Sequence, residues 1–217
     1  MKVIELDSVT LNFPVKKGAR YLKEQVTGRF KTEGGKTHLR ALDKVKLEIN
    51  KGEIIGIIGP NGAGKSSMLN VINGFYHPQE GEIWFDGQKR PSMEPFEVAK
   101  TGIARTFQNI ALFKGMTTIE NVMTGRQLQM NKNIFWQMLR YGPAIEEEVQ
   151  HRKRCEEIID FLEINHIRKT PVGSLPYGLQ KRVELARALA MEPNLLLLDE
   201  PMAGMNVEEK QDMSRFI

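Results

Sequence analysis

The sequence predicts an α/β protein: a parallel sheet with flanking helices, an N-terminal antiparallel β-subdomain and an α-helical subdomain. Three observations carry this expectation. Residues 54–58 (Ile-Ile-Gly-Ile-Ile) and 195–198 (four leucines) are short runs apolar on both faces, as strands buried within a parallel sheet are. Residues 2–13 instead alternate and are rich in β-branched side chains, the pattern of a strand. From about Gln108 to Pro176 the apolar positions recur three or four apart, the helical period.

In order along the chain, the strand over 2–13 gives way to a basic, Gly-containing stretch over 14–40, which reads as a loop inserted in a hairpin. Alternation resumes over 41–50 (Leu42, Val45, Leu47, Ile49), and Lys51-Gly52-Glu53 turns the chain into 54–58. A helix over 65–73 follows, with Met68, Leu69 and Ile72 at helical spacing; 82–85 reads as a strand closed by the Asp86-Gly87 turn, and 94–102 as a short helix. Helices are expected over 119–130, 134–139 and 146–162, with Ile134, Phe135, Met138 and Leu139 forming an apolar stripe buried in the helical lobe. A further helix over 178–190 turns Val183, Leu185, Ala186 and Leu189 inward. Asn206 followed three positions on by Glu209 marks another helix start. The chain stops within that helix at Ile217, where a parallel α/β sheet does not naturally end, so the sequence reads as cut short.

At 217 residues the chain can bury one core with an attached lobe. The expected division is a core of 1–108 and 177–217, a helical subdomain of 109–176 and the inserted loop of 14–40. A composition of 41% hydrophobic and 27% charged residues is that of an ordinary globular protein and excludes a disordered chain. The start, Met1-Lys-Val-Ile-Glu-Leu-Asp, is mixed, and no apolar run approaches the roughly 20 residues that span a bilayer, so neither a signal peptide nor a membrane span is expected. The lone Cys155 makes neither an internal disulfide nor a cysteine metal cage, which fits a reducing compartment such as the cytoplasm. The net charge of +4 is local in origin: residues 14–40 hold eight Lys or Arg against Glu24 and Glu33. That stretch reads either as a solvated surface loop or as a contact for anionic lipid headgroups or an acidic partner.

Gly59-Pro60-Asn61-Gly62-Ala63-Gly64-Lys65-Ser66 fits G-x-x-x-x-G-K-[ST], placed after an apolar strand and opening a helix, the context that validates this phosphate-binding pattern. The glycines let the backbone curl so that successive N–H groups face inward, and with the positive end of the helix they form an anion cradle. Ser67 follows directly and belongs to the same cradle. Lys65 is expected to reach the β and γ phosphates of a nucleoside triphosphate, and the Ser66 hydroxyl to ligate magnesium. The leucine strand is expected to deliver Asp199 to the magnesium and Glu200 to the attacking water, as base or orienting group. These motifs together predict a P-loop NTPase core that binds a nucleoside triphosphate with Mg2+ and hydrolyses it.

The order of features resembles the ATP-binding subunits of ABC transporters over nearly the whole chain. The resemblance implies that Gln108, in Arg105-Thr-Phe-Gln108-Asn109, senses magnesium and joins the helical lobe to the core. It also implies a signature loop that contacts the γ phosphate held by an opposite subunit. Here that loop is Leu175-Pro176-Tyr177-Gly178-Leu179-Gln180, with Pro176 where the family has serine and Leu179 where it has glutamine. The trans contact is then expected from backbone N–H groups near Tyr177 and Gly178 and from the helix dipole. The loop tyrosine, residues 105–116, the Met123-Thr-Gly-Arg126 stretch and Ala203-Gly-Met-Asn206 resemble the branched-chain amino-acid importer branch. In that family an aromatic stacks on adenine, for which Phe13 is the candidate, and a switch histidine lies beyond the position of Ile217. The resemblance implies a second, identical or different, ATP-binding subunit, transmembrane permeases, and a cytoplasmic location on the inner face of the cell membrane. Two other readings stay open: an ATPase of this type acting on nucleic acid or ribosomes, and a nucleotide-binding module without turnover.

Overall fold

The structure is a computed structural model that describes residues 1–14, 30–33, 36–90, 93–106, 110–130 and 143–217. It divides into two compact units, Met1–Thr101 and Gly102–Ile217. The second takes in both the region expected as a helical lobe and the stretch from 177 onward.

The first unit is built on β1 (Lys2–Pro14), β2 (Phe30–Glu33), β3 (Lys36–Asn50), β4 (Glu80–Phe85) and β5 (Gln88–Lys89), in the order β2-β3-β1-β4-β5. Every pairing is antiparallel, with β1 at the centre between β3 and β4. The β1–β3 register shifts between Leu6 and Val9, where Ser8 takes a positive φ of 55°. Such a bulge moves one residue out of the ladder and changes the phase of alternation. Ile4 and Leu6 are therefore buried on one side of it, and the consecutive Val9, Thr10 and Leu11 on the other. β2 and the first residues of β3 fill the end of the stretch expected as a basic loop. The strand pairing Phe30 with Leu39 and Glu33 with Lys36 corrects that expectation, because backbone hydrogen bonding can extend a hairpin through residues of mixed polarity. Residues 15–29, with most of the basic cluster, lie outside the described residues.

Two helices complete this unit. In α1 (Lys65–Ile72) Met68, Leu69, Val71 and Ile72 are buried, and Arg90 closes its C-terminus by donating to the carbonyls of Ile72 (2.5 Å) and Val71 (3.0 Å). α2 (Pro95–Lys100) starts with a capping box of Glu94 and Glu97 and Pro95 in its first turn. Residues 54–58 depart from the expected buried strand. They form no strand, and Ile54 and Ile58 are 80% and 97% exposed. An apolar run becomes a strand only where a neighbour offers a ladder. The strands of this unit pair antiparallel among themselves, and none pairs with this run.

The second unit holds the one parallel pairing among the described residues, β6 (Ile103–Thr106) beside β7 (Leu195–Leu198). Around it lie α3 (Thr118–Thr124), α4 (Pro143–Phe161), α5 (Tyr177–Ala190) and α6 (Val207–Ser214). α3 is capped by Thr117 with Glu120, and it passes into a 3-10 turn over Gly125–Leu128, shorter as an α-helix than its apolar period suggests. Ile119, Val122, Cys155, Ile159, Leu162, Ile164, Val172, Val183 and Ala186 form its shared core. Arg126 ties three elements of this unit together, donating to the Ala190 carbonyl (2.9 Å) and to His151 Nδ1 (3.1 Å) and pairing with Glu192. The helix expected over 134–139, with its apolar stripe, lies outside the described residues.

Candidate functional site

Each unit carries one set of the residues singled out by the sequence. In the first, the 59–66 loop leads directly into α1, whose cap residue Gly64 is left-handed at φ 94°. Gly62 is also at positive φ, 80°, and Ala63 N–H bonds Pro60 O at 3.1 Å to tighten the turn between them. A side chain at Gly64 would begin 2.6 Å from the Ala41 carbonyl of β3, so glycine is demanded twice, by φ and by contact. The loop thus presses its backbone on the sheet and opens α1 without any side-chain cap. No acidic residue stands in the first turn of α1, which leaves the positive end of the helix to an anion. The Lys65 ammonium folds back over the loop, donating to the carbonyls of Gly59 (2.5 Å) and Pro60 (3.1 Å). Asn61 and Ser66 are exposed and Ser67 is half-buried. Phe13, near the end of β1, is half-buried, its ring edge-on to Tyr76 at 5.1 Å between centroids.

In the second unit β7 ends at Leu198 and delivers Asp199 into a buried position, while Glu200 emerges exposed at φ 49°. The Arg105 guanidinium, from the neighbouring strand β6, donates to Asp199 Oδ2 at 2.8 Å. After Glu200 the chain turns tightly, with Ala203 N–H on the Glu200 carbonyl at 3.0 Å. Asn206 then caps α6, accepting from Glu209 N–H at 2.8 Å while Glu209 accepts from Asn206 N–H, the capping box expected from the sequence.

Pro176 is the cap of α5 and supplies no side-chain hydrogen bond. Gln180 reaches back to the residue before the cap, its amide donating to the Leu175 carbonyl at 2.8 Å. Leu175 and Gly178 are buried, Leu179 half-buried against the core, and Tyr177 43% exposed. The Glu209 side chain lies so close over Gly178 that any Cβ there would overlap it, so the start of α5 is held to the start of α6. Gln108 lies outside the described residues.

Two features were missed by sequence reasoning. The signal for Arg105 is a cation within the short strand Ile103–Thr106, a placement that requires a buried counter-ion. The Glu209–Gly178 contact has no signal in the sequence beyond the capping pattern itself.

The residues present suit magnesium. Among the described residues no cluster of three His, Cys, Asp or Glu could cage a metal unaided. In the first unit the Ser66 hydroxyl, and in the second the Asp199 carboxylate, is a hard oxygen donor of the kind magnesium takes alongside water and phosphate.

A glycine loop that opens an uncapped helix, and an apolar strand ending in Asp-Glu, define a phosphate-loop nucleotide-binding protein. A profile of the family described as ABC transporter matches residues 42–203, and the chain belongs to that family. It is 33% identical over 193 residues to the high-affinity branched-chain amino acid transport ATP-binding protein BraF of Pseudomonas aeruginosa, covering 89% of this chain and 74% of that one. It is 36% identical over 182 residues to LivG of Escherichia coli, whose description is the same apart from the name, covering 82% and 70% respectively. The crystal structure of the ADP conformation of an ATP-binding cassette of an ABC transporter superposes with a TM-score of 0.73 at 31% identity, over 99% of this chain and 75% of that one. The fold class is that of the P-loop NTPases, as the sequence predicts. No helix among the described residues is long and apolar enough to cross a membrane.

Proposed function

We propose that this chain is the ATP-hydrolysing subunit of an importer for branched-chain or other amino acids. The observation that carries the reading is the Gly64 junction, where a left-handed glycine pressed on the Ala41 carbonyl opens a helix that has no side-chain cap. In this reading residues 59–67 hold the ATP phosphates and Phe13 contacts the adenine. Lys65 leaves the carbonyls of Gly59 and Pro60 for the β and γ phosphates, an exchange of neutral for charged acceptors that favours the bound form. Ser66, Asp199 and Gln108 attend to magnesium, which supplies charge neutralisation at the phosphates. Glu200, exposed at the strand tip, orients or deprotonates water.

The start of α5 serves a second ATP-binding subunit, identical or different, through the backbone amides of Tyr177 and Gly178 and the helix dipole. Closure of two such subunits on ATP moves attached transmembrane permeases, and hydrolysis reopens them. The chain works at the inner face of the cell membrane, held there by the permeases. The test is Glu200→Gln in the assembled transporter. It accumulates an ATP-bound dimer and loses turnover by at least about a hundredfold; normal turnover removes Glu200 from the reaction.

A second reading, a nucleotide-binding module without turnover, has one observation in its favour: Pro176 brings no hydroxyl to the start of α5. Binding of ATP without release of phosphate by the assembled protein selects it.

A further inference from the structure

The proposed reaction gives Arg105 no role, yet Arg105 is hydrogen-bonded to the carboxylate that the reaction assigns to magnesium. Its guanidinium nitrogen stands 2.8 Å from Asp199 Oδ2, and the two side chains are only 6% and 9% exposed. The parallel register fixes this geometry. Arg105 is level with Leu197 and Thr106 with Leu198, so Asp199 emerges beside the end of β6 as it leaves β7. An arginine is charged at every working pH, and burial removes the water that would otherwise weaken its attraction to a carboxylate.

We propose that Arg105 is a positioning residue that holds Asp199 as its resident counter-ion, so that the carboxylate does not take a divalent cation until nucleotide supplies the other ligands. The inference rests on the reading of Asp199 as a magnesium carboxylate. A dication approaching Asp199 meets a fixed positive charge already bonded to one of its two oxygens. It also finds no set of three neighbouring acidic, His or Cys ligands among the described residues to offset that repulsion. Phosphate oxygens bring both ligands and negative charge, which tips the balance. Metal therefore arrives with nucleotide, and Arg105 keeps the buried carboxylate compensated before that.

The experiment titrates the nucleotide-free 217-residue chain with Mn2+, followed by its electron paramagnetic resonance signal, in wild type, Arg105→Gln and Arg105→Lys. Folding of each variant is checked by circular dichroism. Removing a unit charge beside the carboxylate tightens Mn2+ binding by on the order of tenfold or more. Arg105→Lys keeps the charge and stays within about twofold of wild type. A merely structural Arg105 predicts no gain in metal affinity from its loss, so a folded Arg105→Gln with wild-type or weaker Mn2+ binding overturns the proposal. Should Arg105→Gln fail to fold, wild type decides: submillimolar Mn2+ binding without nucleotide, abolished by Asp199→Asn, overturns it, and its absence supports it. The parent reading fails separately. If Asp199→Asn leaves magnesium-dependent ATP binding intact, Asp199 is not the metal carboxylate, whatever Arg105 does.

Discussion

Two glycines of the phosphate loop share a backbone conformation but not an environment, and that contrast can be measured. Gly62 and Gly64 sit at φ 80° and 94°, both left-handed. A Cβ on Gly62 meets nothing within 4 Å, whereas one on Gly64 begins 2.6 Å from the Ala41 carbonyl and 3.2 Å from Leu42 Cδ2. Gly62→Ala therefore costs only the left-handed penalty of an L-residue, about 1–2 kcal/mol. Gly64→Ala carries the same penalty plus that of forcing a methyl into backbone, about 1–3 kcal/mol more. In a unit of this size each kcal/mol moves the midpoint by about 4 °C or more, so Gly64→Ala melts below Gly62→Ala by about 4–12 °C. Thermal unfolding followed by far-ultraviolet circular dichroism reads the difference. Equal midpoints for the two variants would refute the claim that the loop is pressed on β3 at Gly64.

Three other predictions concern the second unit. Lys181 and Glu184 pair at 3.1 Å with both side chains 2% exposed; Glu184→Ala removes the carboxylate paired with a buried ammonium and costs about 3–5 kcal/mol by chemical denaturation, while Lys181→Met with Glu184→Leu together costs less. Burial raises the Cys155 thiol to about 11 from an ordinary 9.0, which lowers its thiolate fraction about a hundredfold, so a disulfide reagent at pH 8 labels it only as the protein unfolds. Desolvation works to raise Glu192, but hydrogen bonds and charge from Arg126 and Arg154 outweigh it and hold the carboxyl below its ordinary value of 4.5. A depressed folded pKa contributes stability above the unfolded value and loses it as the pH falls through the folded one. Glu192→Gln therefore flattens the loss of stability below about pH 4.5 relative to wild type, measured as the unfolding midpoint against pH.

Much of the secondary structure was legible because it rests on local chemistry. The helix after the phosphate loop, the Asn206–Glu209 cap, the leucine strand and the helices of the second unit all follow from period and capping within a few residues. What escaped the sequence depends on pairing at a distance. The 54–58 run has the composition of a buried strand, but its fate turns on whether another strand offers a ladder, which no local pattern encodes. The extension of the hairpin through Phe30–Glu33 is the reverse case, backbone pairing in residues of mixed polarity. At the site, the motif residues and their order were readable, since phosphate chemistry constrains spacing. The counter-ion Arg105 was not assigned, because a lone cation acquires meaning only once parallel register sets it beside Asp199.

The central claim is that the 59–66 loop binds ATP with magnesium. It is tested most directly by isothermal titration of the chain with ATP and Mg2+, in wild type and in Lys65→Ala. The account predicts saturable binding by wild type and a loss of roughly tenfold or more in Lys65→Ala, whose charged contacts to phosphate are gone. Equal ATP affinity in the two proteins would contradict it.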